Sequence, residues 1–278
     1  MPCPVPLLQE RPSRSSTRLP IFDAVAGDDD RQRRQAGEVG FVHSTENASA
    51  VDGPGLRFVV WTTGCLMRCQ YCHNPDTWRR GGGTQRSVDS VLGDVEKFAP
   101  FLKSAGGGMT VSGGEPLVQA AFARKLLRGG KALGLHTALD TNGYLGDRLS
   151  DDDLDDIDLF LLDLKSFLPE LHKQVTGIDV EPILQFARRL SDSGRPMWLR
   201  LVLVPGLTDG EDNLRGWGEF AESLSNVERV EVLPFHQMGR HKWQELGVAY
   251  PLETTPPCPP ERADEVRRFF RELGLPVV

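Results

Sequence analysis

From Val39 onward, short apolar runs recur along the chain, each followed by a longer amphipathic stretch. The runs Arg57–Thr63, Met109–Ser112, His136–Asp140, Leu159–Lys165, Met197–Val204 and Val230–Phe235 are rich in β-branched or aromatic residues and bounded by Gly or Pro, which predicts strands. Helices are predicted at Val88–Lys103, Val118–Leu133, Pro182–Ser193, Asp212–Leu224 and Pro260–Leu273, the last with Phe269, Phe270 and Leu273 on one face. Strand–helix alternation of this kind implies an α/β fold, a parallel sheet with helices outside. A doubly wound open sheet and a partial barrel fit the pattern equally well. In either, chemistry collects at the C-terminal strand ends.

The polar residues obey that rule. Cys65 follows the first predicted strand, and Gly113, Gly114 and Glu115 follow the second. Asp140, Thr141 and Asn142 end the third, Asp163 and Lys165 the fourth; Arg200 lies in the fifth and His236 follows the sixth. A purely structural core would not deliver unusual polar groups to one end of every strand. The first 37 residues lack apolar periodicity and are expected to be a disordered tail, leaving 38–278 as one catalytic domain. Within that tail, Asp28–Arg34 carries blocks of opposite charge and reads as a solvated stretch.

A formal charge of −7 over 278 residues argues against a general nucleic-acid binder. No apolar run approaches the length of a membrane helix, and the N-terminus lacks the apolar stretch of a signal peptide, so a cytosolic location is expected. Five cysteines, three of them within eight residues, do not make a disulfide scaffold. In a reducing compartment such clustering points to metal or catalysis.

The three are Cys65, Cys69 and Cys72, spaced C-x3-C-x2-C. Three thiolates on a short loop can hold three irons of a cubane cluster and leave the fourth iron open, which catalysis requires. Zinc is the rival, since His73 completes a nominal Cys3His set. Cys72 and His73 are adjacent, however, and neighbours rarely turn both side chains onto one tetrahedral ion.

That spacing is the signature of the radical S-adenosylmethionine superfamily. The whole segment Gly64–Trp78, GCLMRCQYCHNPDTW, resembles the pyruvate formate-lyase-activating enzymes. Further landmarks in order are Asp52-Gly53-Pro54-Gly55, Ser112-Gly113-Gly114-Glu115, Leu139-Asp140-Thr141-Asn142-Gly143, Leu162-Asp163-Leu164-Lys165, Leu233-Pro234-Phe235-His236 and Lys242-Trp243. The resemblance implies a partial (β/α)6 barrel of parallel strands, a 4Fe-4S cluster on the three cysteines, and S-adenosylmethionine as cosubstrate. It implies reductive cleavage of that cosubstrate and hydrogen abstraction from a glycine of pyruvate formate-lyase or a similar glycyl-radical enzyme. The electron donor implied is a flavodoxin or ferredoxin, and the chain itself is expected to be a monomer.

Residue by residue, the resemblance assigns Gly113, Gly114 and Glu115 to the methionine amino group and Lys165 to its carboxylate. Asp140, Thr141 and Asp163 would hold a monovalent cation, Asp140 also adjoining the cofactor. His236 would line the cofactor pocket, and Tyr71 would lie beside the cluster. Asp52, His73 and Arg200 would meet the partner's peptide. Cys3 and Cys258 have no landmark around them and read as bystanders. The chain lacks the eight further cysteines of a ferredoxin-like insertion, which favours the short-form activase. Two departures stand out: the tail before Gly37 has no counterpart in the family pattern, and Phe235 replaces the usual Tyr.

Overall fold

The computed structural model describes residues 28–278. Its strands are β1 (Val39–Ser49), β2 (Arg57–Thr62), β3 (Thr84–Ser87), β4 (Gly108–Gly113), β5 (His136–Thr141), β6 (Leu159–Asp163), β7 (Met197–Leu203) and β8 (Val227–Pro234). The helices are α1 (Asp28–Gln35), α2 (Val88–Ser104), α3 (Ala120–Ala132), α4 (Asp151–Leu154), α5 (Pro169–Thr176), α6 (Glu181–Asp192), α7 (Glu211–Glu222), α8 (Arg240–Glu245) and α9 (Pro260–Glu272). All strands join one sheet in the order β3-β1-β2-β4-β5-β6-β7-β8. The six strands from β2 to β8 in that order pair in parallel, while β1 runs antiparallel to both β2 and β3. Strand order among the six follows chain order without reversal. A doubly wound sheet reverses at a switch point, so the arrangement is the singly wound, barrel-like alternative. It stays open, because β2 and β8 do not pair.

The two faces of the sheet separate by strand parity. Val111, Leu139, Phe160, Leu162, Leu199 and Leu201 point to the helices and join the main core. The opposite parity carries a small apolar group, Ala138, Leu159, Leu161 and Trp198, on the inner face. Two residues further along the same strands stand Asp140, Asp163 and Arg200. The inner face is therefore apolar at mid-strand and charged at its C-terminal end.

Arg57 closes the other end, fully buried, and sequence reading gave it no role. Its guanidinium donates to Thr110 Oγ1 at 2.9 Å, to the Met109 carbonyl at 2.6 Å and to the His136 carbonyl at 3.1 Å. Burial draws its pKa down to about 10, against the opposing pull of Asp158 and Asp52.

The structure corrects the expected boundaries at the N-terminal side. Residues 28–35 form α1, inside the segment expected to be tail, because Asp28–Asp30 sit in its first turn and Arg33–Arg34 in its last. Arg34 stacks on Phe41 at 5.6 Å, and Gln85 donates to Asp30 at 3.3 Å. Gly37 then turns with φ of +72°, where a Cβ would meet the Ala121 backbone at 2.4 Å. The rest of the expected tail, with Cys3, lies outside the described residues. Strands β1 and β3 and helices α4, α5 and α8 were not foreseen either; β1 and β3 form an antiparallel edge with exposed, polar positions.

Candidate active site

The cysteine loop leaves β2 through Gly64, whose φ of +100° and close approach to Val118 leave no room for a side chain. The loop closes on itself: Gly64 N donates to the Thr77 carbonyl at 2.7 Å and Cys65 N to the Trp78 carbonyl at 3.1 Å. It is then braced from two sides. Arg68 N and Gln70 N donate to the carbonyls of Thr176 and Val175 at 2.7 and 3.0 Å, so the loop caps the free carbonyls at the end of α5. From α8, Trp243 Nε1 donates to the Cys72 carbonyl at 2.8 Å and Lys242 Nζ to Asn74 Oδ1 at 2.8 Å. The Trp78 and Trp243 rings meet edge-on at 4.9 Å. Lys242 and Trp243 thus acquire a mechanical role as the loop's outer clamp.

Cys65, Cys69 and Cys72 line one wall of a cleft of about 1020 Å³, open mouth included. All are free thiols. Burial raises all three pKa values, Cys69 to about 12, where Cys72 and Asp163 reinforce the shift and Lys165 opposes it. Thiolates at such positions need metal charge beside them. Among the described residues no three His, Cys, Asp or Glu side chains converge on a point that could hold a single ion. Ligands of one zinc would lie within about 4 Å of each other, given Zn–S bonds of about 2.3 Å. Thiolates that each bind a different iron of a cubane need no such convergence, so the loop is compatible with the cluster. His73 is engaged elsewhere: its ring packs at a tilt against that of His236, centroids 4.3 Å apart, and its Nε2 lies 3.2 Å from the His236 carbonyl. Burial, then the His236 charge, lowers its pKa.

The facing wall consists of strand ends. Gly113 and Gly114 line the cleft, and Gly113 has φ of +140° with a Cβ position 2.2 Å from the Thr62 carbonyl. Asp140 accepts from Ser112 Oγ at 2.7 Å and from Arg200 Nη2 at 2.7 Å. Arg200 Nε lies 3.9 Å from Asp163, which pairs with Lys165 Nζ at 2.8 Å. The four charges alternate in sign along the inner face. Burial pushes Asp140 up to about 6 despite Arg200. Burial opposes ionisation of Asp163 as well, but Lys165 and Arg200 outweigh it and hold the carboxylate low. Lys165 rises because Asp163, Tyr71 and Cys69 outweigh its own desolvation. Lys165 also stands 5.8 Å from the centre of the Tyr71 ring. Tyr71 Oη and Arg200 Nε are buried without a hydrogen-bond partner, which marks the cleft as built for a polar ligand. Asp52, buried in the cleft lining, accepts from Ser49 Oγ.

Two expected cofactor contacts fall elsewhere. Glu115 does not line the cleft: its carboxylate accepts from Leu117 N at 2.9 Å, Asn142 N at 2.8 Å and Thr141 Oγ1 at 2.8 Å, tying β4 to β5. Burial raises its pKa to about 7 in spite of these bonds. His236 is half-buried at the rim behind His73 rather than in the lining. Thr141 is in the lining, but its hydroxyl is spent on Glu115. Sequence reasoning also passed over Ser112 and Asn142, whose Nδ2 is 3.9 Å from Cys65 Sγ; both sit inside the landmark motifs, which was the available signal.

The family model for the radical SAM superfamily matches residues 59–217, more than half of the chain. The chain is 45% identical over 246 residues to the pyruvate formate-lyase-activating enzyme of Staphylococcus epidermidis, covering 86% of this chain and 98% of that one. It is 40% identical over 242 residues to the pyruvate formate-lyase 1-activating enzyme of Escherichia coli K12, again covering 86% and 98%. This chain belongs to the pyruvate formate-lyase-activating enzymes of the radical SAM superfamily. Among solved structures, a radical SAM methyltransferase from Sphaerobacter thermophilus aligns with a TM-score of 0.59 at 17% identity, over 91% of this chain and 74% of that one, and supports the fold alone. Cys65, Cys69 and Cys72 lie within the matched residues and line the cleft.

Proposed function

We propose that this chain installs a glycyl radical on pyruvate formate-lyase. The observation that carries the reading is one cleft with three free thiols on one wall and the charged ends of parallel strands on the other. When bound, the cluster and S-adenosylmethionine together supply a 5′-deoxyadenosyl radical, formed by one-electron cleavage of the sulfonium, that takes a hydrogen atom from the partner's glycine. The protein's part is placement. The main chain at Gly113 and Gly114 comes close enough to take the methionine ammonium. Lys165 and Arg200 are the cations available to its carboxylate. Tyr71, buried beside the cysteines, keeps water from them.

A monovalent cation against Asp140, Thr141 and Asp163 belongs to the same reading. Its support is the set of hard oxygen acceptors that Asp140, Thr141 and Asp163 bring to one cleft. Asp52, His73 and Arg200, which line the cleft, are proposed to meet the partner's chain. We infer a flavodoxin or ferredoxin as electron donor and a cytosolic location, the described cysteines being unpaired and no described helix being long and apolar enough to cross a membrane.

The deciding experiment is anaerobic electron paramagnetic resonance of the reconstituted protein with S-adenosylmethionine, a strong reductant and pyruvate formate-lyase. A glycine-centred doublet that requires S-adenosylmethionine is expected. Release of 5′-deoxyadenosine without that doublet would keep the chemistry and discard the partner.

A further inference from the structure

The charge of this acidic chain is unevenly placed. Residues 53–88, which contain the cysteine loop, hold five arginines against one carboxylate, in a chain of net charge −7. Arg57 is buried in the barrel floor, and Arg86 is paired with Asp94 at 2.7 Å. The one carboxylate, Asp76, is already held by Lys242 at 3.1 Å and His43 at 3.0 Å. Arg68, Arg79 and Arg80 are left without a carboxylate among the described residues.

Their position relative to the cluster ligands is close. Arg68 lies between Cys65 and Cys69, donates to the Cys65 and Met67 carbonyls at 2.7 Å each, and stacks on Trp78 at 5.0 Å. The Trp78 carbonyl holds the Cys65 amide, and Arg79 and Arg80 follow it directly. Arg79 is exposed, and Arg80 Nε is buried with no partner of its own. None of the three lines the cleft, although Trp78 does. The three arginines thus adjoin the cysteine loop without forming part of the cleft lining.

We propose that Arg68, Arg79 and Arg80 form the docking surface for an acidic one-electron carrier protein. The proposal rests on the radical reading above, which requires an electron from outside the chain. The carrier loses one electron and the cluster gains it; no proton or atom is exchanged. A positive patch on an acidic protein attracts a partner of negative charge, and such complementarity acts mainly on encounter rate and orientation.

The test compares the holoenzyme with its Arg79→Glu/Arg80→Glu variant, using a purified acidic flavodoxin as the probe. Calorimetric titration at low salt should show flavodoxin binding weakened about tenfold or more, with a shallower salt dependence. Release of 5′-deoxyadenosine driven by reduced flavodoxin should fall in parallel, while release driven by dithionite and the iron content should match the parent. Unchanged flavodoxin binding would overturn the proposal. So would equal losses with flavodoxin and dithionite, which would mean that the arginines merely support the loop. A parent that cleaves nothing even with dithionite would remove the radical reading, whereas the binding titration, which needs no turnover, still decides the surface.

Discussion

Replacing Glu115 by Gln separates two roles for that residue, cofactor ligand and strand clamp. In the parent each carboxylate oxygen accepts one backbone N–H, from Leu117 at 2.9 Å and from Asn142 at 2.8 Å, and shares the Thr141 hydroxyl. A glutamine offers one acceptor oxygen, so its amide nitrogen must face one of those N–H groups. The resulting buried, unpaired donor costs about 2–3 kcal/mol. The pH dependence has a definite sign. The carboxyl is raised from 4.5 to about 7 in the fold, so folding favours its protonated form. That contribution is complete below the unfolded value and is lost as pH rises through about 7. It amounts to about 3 kcal/mol across the window, at 1.36 kcal/mol per pKa unit. Glutamine does not titrate. The variant should therefore be about 2–3 kcal/mol less stable than the parent near pH 5 and nearly equal to it near pH 8. Denaturant unfolding at the two pH values, with S-adenosylmethionine binding to the folded holo variant, is the assay. Binding within about threefold of the parent is expected. A variant of parental stability at pH 5 that had lost S-adenosylmethionine binding would refute the clamp and restore the ligand role.

Cys65→Ala, Cys69→Ala or Cys72→Ala should each abolish the cluster's visible absorbance and 5′-deoxyadenosine release, whereas Cys258→Ala should leave both unchanged. Trp243→Phe removes the donor to the Cys72 carbonyl, 2.8 Å away, and should cost about 1 kcal/mol in unfolding and speed iron loss to a chelator. Arg57→Leu leaves Thr110 and the Met109 and His136 carbonyls without the guanidinium and should lower stability by about 3 kcal/mol, read from the denaturant midpoint; a neutral result would show that relief of the buried charge offsets the lost bonds.

The parallel strands were legible because strands buried on both faces are apolar runs, and those at Leu159–Leu162 and, interrupted only by Arg200, Leu199–Leu203 announce themselves. The antiparallel edge was not, since β1 is exposed along His43–Ala48 and carries no hydrophobic alternation. Helix α5 was missed for a different reason. It is eight residues long, starts with Pro169 at its first turn and ends at Gly177 with φ of +83°, so its capping signals were present but its apolar face was too short to stand out. The cysteines could be found from spacing alone. The orientation of Glu115 could not, because a carboxylate next to two glycines at a strand end is equally placed to face a ligand or the neighbouring strand. Asn142 N and Thr141 Oγ1 decide that choice, and their direction depends on the register between β4 and β5.

The inner charges show why so much ionic machinery can stay buried without a ligand. Asp140, Arg200, Asp163 and Lys165 sum to zero, and each neighbour in the sequence of contacts is opposite in sign, at 2.7, 3.9 and 2.8 Å. A buried pair that loses one member leaves an uncompensated charge, whereas a neutral ladder can pass a counter-charge along. A ligand carboxylate drawn to Lys165 must compete with Asp163, and Asp163 can then lean on Arg200, whose Nε is still free of hydrogen bonds. Asp140, already raised to about 6, is the member that most easily takes up the excess negative charge by binding a proton. If a monovalent cation takes that excess instead, it should do so beside Asp140. The ladder therefore prepares the cleft to accept an anionic group at one end and to compensate for it at the other.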